Sequence, residues 1–464
     1  MGTPAIIQVC GTWDRGSIPR GRPIFSKRNL YKIQDTSPIT MEIQTAKGVR
    51  DVTPEEKILK NKVVNTISKT FELYGFAPLE TPILERYETL AAKYGAGAES
   101  DVLKETFKLQ DQGDRQLGLR FEMTTSLARF VAQNPTLKMP FKVYQAGPVF
   151  RDGPIKLGRE REFWQCDADT IGASSMLAEA EQIGMLCDVF RQLDFKFSIK
   201  VNNRKILNGI LKQSGIIEVR EALIAIDKMD KIGKAGVSDE LKQRGYSKTQ
   251  IDKVFSFLTK GVTPASLKKK ITDQEGKQGI AELEELFGYL KTLGAKEVEF
   301  DLSLIRGQAY YTGTVLEAYL KNSAITSSIA SGGRYDQMIG NFMGGGREIS
   351  AVGVSFGITP IMEQMKTQNK LEEKTPAKVL VIPINVTDEA LKIAQELRKN
   401  GVATDFALGK KGVGKNLEYA NALGIPYVAI IGEEEMKKKK VLLKEMVSGT
   451  EQLLSLKDLV KKLQ

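Results

Sequence analysis

Beyond Asp51 the apolar residues Ile58, Val63, Ile67, Phe71 and Tyr74 recur at roughly helical spacing and stop at Gly75. Thr53-Pro54-Glu55-Glu56 stands ahead of them as a capping box with proline at the first helical position, so the spacing predicts a helix here. Residues 76–82 read as extended, closed by Pro82. A hairpin is expected to turn at Gln112-Gly113-Asp114 and to return through residues 117–122, with Thr124-Thr125-Ser126 starting the next helix. Residues 141–151 and 161–171 read as paired strands around a loop containing glycine and proline. From 208 to 292 Lys, Glu, Leu and Ile fall at helical spacing. Apolar runs at 298–305 and 314–320 predict two further strands. After a polar stretch at 366–378, short strands at 379–382, 402–406, 427–431 and 441–443 alternate with helices starting at Thr387, near Lys415 and after the cap Ser455. Antiparallel strands with flanking helices, then alternating strand and helix, imply an α+β domain followed by a small α/β domain with a largely parallel sheet.

The 464 residues suit about three domains. A content of 41% hydrophobic and 27% charged residues is ordinary for a soluble globular chain, and no apolar run approaches a membrane span. Cys10, Cys166 and Cys187 are too few and too scattered for a disulfide framework or a zinc site, which fits a reducing compartment. The net charge of +11 fits a polyanionic partner, and equally a basic surface kept for solubility. Residues 1–40 carry six Lys or Arg against Asp14 and Asp35 without any period. They read as a targeting extension, or as a disordered tail with Met41 as the true start.

The chain has no histidine. Imidazole acid–base catalysis, His-metal sites and Ser-His triads are therefore excluded, leaving Arg, Lys, carboxylates, Tyr, backbone and bound metal for any chemistry.

The candidate chemistry centres on Arg306-Gly307-Gln308-Ala309-Tyr310-Tyr311-Thr312-Gly313, between two predicted strands. Glycine lets backbone approach a ligand, arginine offers a rigid fork for phosphate or carboxylate, and the tyrosines supply an aromatic wall. The segment reads as a site for a small anionic ligand, with a core-packed sheet turn as the alternative. On the strand from Arg161, positions 161, 163, 165, 167 and 169 share a face, so Gln165 and Asp169 point together.

The octapeptide resembles the R-G-L-D-Y-Y-T-G signature of histidyl-tRNA synthetases. Ser331-Gly332-Gly333-Arg334-Tyr335-Asp336 is similar to that family's G-G-G-R-Y-D. Val149-Phe150-Arg151-Asp152-Gly153-Pro154 with Gly158-Arg159-Glu160-Arg161-Glu162-Phe163-Trp164-Gln165 resembles class II motif 2 in its histidine-specific form. The similarity runs from about Lys47 to the C-terminus. It implies a histidine–tRNA ligase that uses ATP and Mg2+, forms a homodimer through the first helix and the strand ending at Pro82, works in the cytoplasm and touches no membrane. It implies a catalytic domain in two parts (41–207 and 293–365), a helical insertion at 208–292 carrying Lys268-Lys269-Lys270 towards tRNA(His), a linker at 366–378 and an anticodon-binding domain at 379–464. Arg151 and Arg306 would hold the α-phosphate as the catalytic pair, and Arg159 the outer phosphates. Glu122 and Thr124 would meet the histidine α-amino group, and Gln165, Asp169, Tyr310 and Tyr311 the ring, with Asp169 accepting from an imidazole N–H.

Three departures from the family pattern bear on catalysis. Gln308-Ala309 replaces Leu-Asp, and Gly153 stands where many relatives carry glutamate. Thr359-Pro360 replaces the Glu-Arg that closes motif 3, which removes the γ-phosphate arginine, with Arg347 as one candidate substitute. A catalytically impaired paralogue acting as a regulatory or tRNA-sensing protein is the rival these departures favour. The absence of histidine would let the chain be made when histidine is scarce. That idea is lost if a variant carrying histidines sustains activity equally under histidine starvation.

Overall fold

The computed structural model describes residues 43–92, 101–155, 160–259, 261–305, 310–344, 347–368, 373–409 and 412–464. The first helix, α1 (Pro54–Leu73), starts where Thr53 accepts a hydrogen bond from the Glu56 N–H. Only half of the capping box forms, because the Glu56 carboxylate is taken by Arg50 and Lys366. The inward stripe is Leu59, Val63, Ile67 and Phe71, so Leu59 replaces the expected Ile58, one position out of register.

Strands β1 (Ala77–Pro78), β2 (Leu84–Arg86), β3 (Lys108–Gln110) and β4 (Gln116–Leu119) follow, with short helices α2 (Tyr87–Ala92) and α3 (Asp101–Lys104) among them. The hairpin between β3 and β4 turns as expected, with Asp114 in the left-handed region at φ 58. Its return strand ends at Leu119, short of Glu122, and α4 (Thr124–Gln133) comes next. Strands β5 (Phe141–Phe150) and β6 (Glu162–Ile171) pair antiparallel over their full length. Helix α5 (Leu177–Gln192) and strand β7 (Phe197–Asn203) complete this part.

The described residues of the charged stretch form helices α6 (Arg204–Gln213), α7 (Val219–Ile226), α8 (Met229–Gln243, kinked at Gly233), α9 (Lys248–Phe255), α10 (Pro264–Lys268) and α11 (Gln274–Thr292). Asn203, Ser247, Thr263 and Asp273 cap α6, α9, α10 and α11 with side-chain oxygens. Helices α6 and α11 cross at Gly209 and Gly276, where a β-carbon on Gly209 would lie 2.5 Å from the Gly276 Cα. In the lysine triplet, Lys268 pairs with Glu284 at 2.7 Å.

Strands β8 (Val298–Phe300), β9 (Thr314–Leu320), β10 (Ala330–Arg334) and β11 (Ala351–Gly357) join the main sheet, with α12 (Met338–Met343) before β11 and α13 (Ile358–Thr367) after it. The expected strand at 298–305 stops at Phe300. There Asp301 accepts from the Ser303 N–H at 2.9 Å and folds the chain into a turn. The eight-stranded order is β1-β5-β6-β11-β10-β9-β7-β8. One face is covered by α1, α5 and α13, whose Phe71 and Phe190 close on Phe356 of β11 at 5.8 and 5.4 Å. Even-numbered Cys166 and Ala168 of β6 point into that core, which sends Gln165, Asp167 and Asp169 to the opposite face.

The C-terminal sheet runs β13-β12-β14-β15-β16, from β12 (Val379–Pro383), β13 (Thr404–Phe406), β14 (Tyr427–Ile431), β15 (Val441–Glu445) and β16 (Glu451–Leu454). Helices α14 (Thr387–Lys399), α15 (Val413–Leu423), α16 (Glu433–Lys437) and α17 (Leu456–Leu463) connect and flank it. The first three strands are parallel, while β15 and β16 form an antiparallel hairpin. Strand β16 and helix α16 are additions to the expected pattern. The former is almost wholly exposed, so its sequence carries no apolar alternation to betray it. The whole is an α+β unit with a helical insertion and a small α/β unit.

Candidate active site

Antiparallel register brings the site together. On β6, Gln165, Asp167 and Asp169 stand opposite Gly357, Ser355 and Gly353 of β11. A β-carbon on Gly353 would collide with Asp169 Oδ1, so only glycine leaves room for that carboxyl. Tyr335, just after β10, donates its hydroxyl to Asp169 Oδ1 at 2.6 Å. The Gln165 amide donates to Ser355 Oγ at 2.7 Å.

Glu122 reaches the same space from the start of α4. Its Oε1 accepts from the Thr125 backbone N–H at 3.1 Å and from the Thr125 hydroxyl. Thus a carboxylate two residues ahead of the helix answers one of its unsatisfied N–H groups, and α4 fixes it in place. Tyr310 stands edge-on to both Tyr311 and Tyr335, at 4.9 and 6.1 Å between ring centres. Its hydroxyl lies 3.4 Å from Glu122 Oε2, a long contact. Beyond β5, the Arg151 guanidinium lies over the rings of Phe121 and Phe163, at 4.3 and 4.9 Å, in two cation–π contacts.

These groups line one open concavity of about 500 Å³: Glu122, Thr124, Arg151, Gln165, Asp169, Tyr310 and Tyr311. All the expected site residues within the described part of the chain are therefore neighbours. Arg306 and Arg159 lie outside the described residues. Among the lining residues not assigned from sequence are Asp167, Ser355 and Tyr335. The strand parity that singled out Gln165 and Asp169 already put Asp167 beside them. Ser355 and Tyr335 arrive from β11 and the end of β10, by pairings that one sequence does not disclose.

Burial governs the electrostatics of this pocket. It pushes the Asp169 carboxyl up to about 7, with the Glu122 charge adding to the rise and the Tyr335 hydrogen bond opposing it. Asp167 is pushed well above the usual carboxylate range by burial, against a hydrogen bond from Ser355. Burial likewise raises the Tyr311 hydroxyl. A site of this kind suits a cationic or strongly donating ligand, because incoming positive charge restores both carboxylates to their ionised form.

Arg334 of the second glycine-rich signature serves the scaffold instead. It is buried and grips Glu179 through two hydrogen bonds of 2.6 and 2.7 Å, tying β10 to α5.

At motif 3, Thr359 and Pro360 occupy the first turn of α13, where proline is well accommodated. Arg347 does not stand near them. It precedes β11, a strand about 20 Å long at ~3.3 Å per residue, while Thr359 and Pro360 follow the strand's other end. A separate concavity beside Thr359 contains Arg50 and Lys60, but Glu56, Glu160, Glu162 and Glu363 also line it. Arg50 is already bonded to Glu56 and Glu160. Lys60 is pushed down to about 8, by burial first, and lies 4.1 Å from the Trp164 ring. Neither offers an evident replacement for the arginine.

No group of three His, Cys, Asp or Glu among the described residues could cage a metal ion. No described helix is long and apolar enough to cross a membrane.

Comparison with known proteins agrees with this geometry. The family model for histidyl-tRNA synthetase matches residues 48–361, and that for an anticodon binding domain matches 378–464. A histidine–tRNA ligase 1 of Bacillus cereus is 42% identical over 427 residues, covering 90% of this chain and 97% of its own. Histidine–tRNA ligase 2 of Shouchella clausii is 40% identical, over 89% of this chain and 98% of its own. The crystal structure of histidyl-tRNA synthetase from Nostoc sp. PCC 7120 superposes with a TM-score of 0.80 at 30% identity, over 91% of this chain and 99% of that one. Across nine-tenths of its length, therefore, the chain belongs to the histidyl-tRNA synthetase family and is an aminoacyl-tRNA ligase.

Proposed function

We propose that the concavity under Tyr310 and Tyr311 is where histidine is activated by ATP, with the roles divided among the residues that line it. The observation that carries this reading is the convergence of Asp169, held by Tyr335, with Glu122 and Arg151 on one face of one sheet. Glu122 receives the α-ammonium beside Thr124. Gln165, Asp169, Tyr310 and Tyr311 receive the ring. Arg151 meets the substrate carboxylate and the α-phosphate. Arg306 and Arg159 are assigned the far side of the α-phosphate and the outer phosphates by family resemblance.

The histidine carboxylate oxygen attacks the α-phosphorus and the bond to pyrophosphate breaks, giving histidyl-adenylate. Preorganised cations stabilise the charge on the pentavalent phosphorus. A terminal ribose hydroxyl of tRNA(His) then attacks the acyl carbon and AMP departs. Bound with ATP, Mg2+ would neutralise phosphate charge, held through phosphates, waters and one or two carboxylates.

The unit at 379–464 reads the splayed bases of the anticodon, and the insertion at 208–292 faces the acceptor arm. Catalytic parts at 41–207 and 293–365, joined to the C-terminal unit through 366–378, work as a cytoplasmic homodimer built on α1 and β1. The test is charging of tRNA(His) with labelled histidine by the purified protein. Label entering tRNA(His) and no other tRNA supports the assignment.

The impaired-paralogue reading rests on Pro360. It predicts a folded protein that binds the tRNA tightly and charges none.

A further inference from the structure

Asp167 is used by none of the roles above, yet it lies in the same pocket. It is 3% exposed, Ser355 hydrogen-bonds its carboxyl, and its Oδ1 has no hydrogen-bond partner. A buried carboxylate oxygen without a donor is costly, and proteins rarely keep one without a use. No scaffold group donates to it. Gln145, its cross-strand neighbour on β5, accepts from Thr81 and leaves its own Nε2 unpartnered. Arg120 is the nearby cation, but its guanidinium donates to the carbonyls of Pro148 and Thr81 instead. Glu122 and Asp169 add like charge, and Tyr310, Tyr311 and Tyr335 also line the pocket. Arg151 lines the pocket as well.

We propose that Asp167 is a second ring-reading carboxylate, and that Asp167 and Asp169 together receive both N–H groups of a histidine side chain bound in its doubly protonated, imidazolium form. This rests on the reading of the pocket given above. The spacing suits it, since adjacent same-face positions on a strand are about 6.6 Å apart. Two hydrogen bonds of about 2.8 Å reaching outward from the nitrogens of one five-membered ring span a similar distance. Charge suits it too. Glu122 answers the α-ammonium, and two further carboxylates remain for the ring. An imidazole, with an ordinary pKa near 6.5, takes up a proton at small cost beside carboxyls that burial has made basic. Selectivity follows, because a ring lacking the second donor leaves a carboxylate buried and unpaired.

The test is the 15N spectrum of ring-labelled histidine bound to the wild-type protein at pH 8, where free histidine is neutral. The expected result is a proton on both ring nitrogens. In Asp167→Asn one nitrogen should lose its proton, histidine should bind at least tenfold more weakly, and the KM for ATP should stay within about twofold. A bare nitrogen in the wild-type spectrum overturns the proposal whether or not the variant folds. No bound resonance at all from folded protein overturns the assignment of the pocket itself.

Discussion

Tyr335 donates its hydroxyl to Asp169 across the mouth of Gly353, so one short hydrogen bond joins the end of β10 to the floor of the pocket on β6. The bond favours the ionised form of a carboxyl that burial otherwise drives up to about 7. Removing it with Tyr335→Phe should raise the Asp169 pKa further and weaken histidine binding about tenfold, in keeping with ~1.5 kcal/mol for a hydrogen bond to a charged group. The pH at which histidine binding reaches half its maximum should move upward. A pH series of histidine KM checks both effects.

Asp169 also sets a pH dependence of stability. Its folded pKa lies above the ordinary carboxylate value, so the folded ligand-free chain binds more protons than the unfolded chain. This group's contribution to stability is therefore best below pH ~4 and declines as pH rises towards about 7. Asp169→Asn keeps the acceptor for Tyr335 and removes the charge. Its melting temperature should exceed wild type at pH 8, with the difference shrinking by pH 5, although histidine binding is lost. Thermal melts across pH decide it, and an unchanged difference would show that the buried charge is not the cause.

Gly353→Ala tests the close approach directly, because the added methyl would occupy the place of Asp169 Oδ1. The expected cost is ~1–3 kcal/mol of stability from overpacking. Histidine-dependent turnover should fall about a hundredfold or more. Denaturant titration and activity on the same preparation separate the two effects.

Arg334 should behave as a scaffold residue. Its pair with Glu179 is fully enclosed, and breaking a buried pair from one side costs ~3–5 kcal/mol. Arg334→Met should lose that stability, whereas replacing both partners with apolar residues should recover much of it. A double-mutant cycle by denaturation measures the difference.

Local pattern made much of this site legible. Strands β5 and β6 emerge from apolar runs around a Gly/Pro loop, and period-2 parity alone put Gln165 and Asp169 on one face. The three signatures located Arg151, Tyr310 and Tyr311. What stayed hidden depends on non-local pairing. Ser355 and Gly353 meet β6 only because β11 inserts beside it, and nothing in the order of the chain announces that neighbour. Tyr335 and Arg334 are adjacent in one signature, yet one serves the pocket and the other the core, a division set by which side of β10 each leaves. Asp167 was visible by parity, but its significance required knowing that no scaffold group satisfies its outer oxygen. Arg347 is near motif 3 in sequence, and strand β11 lies between them.

This pocket is proposed to activate histidine despite Pro360 in place of the motif 3 arginine. Histidine-dependent ATP–pyrophosphate exchange on the purified protein tests it most directly, with Arg151→Ala and Arg306→Ala alongside. The expected result is exchange that requires histidine and falls by at least a hundredfold in each variant. Folded protein that gives no exchange with any amino acid would contradict it.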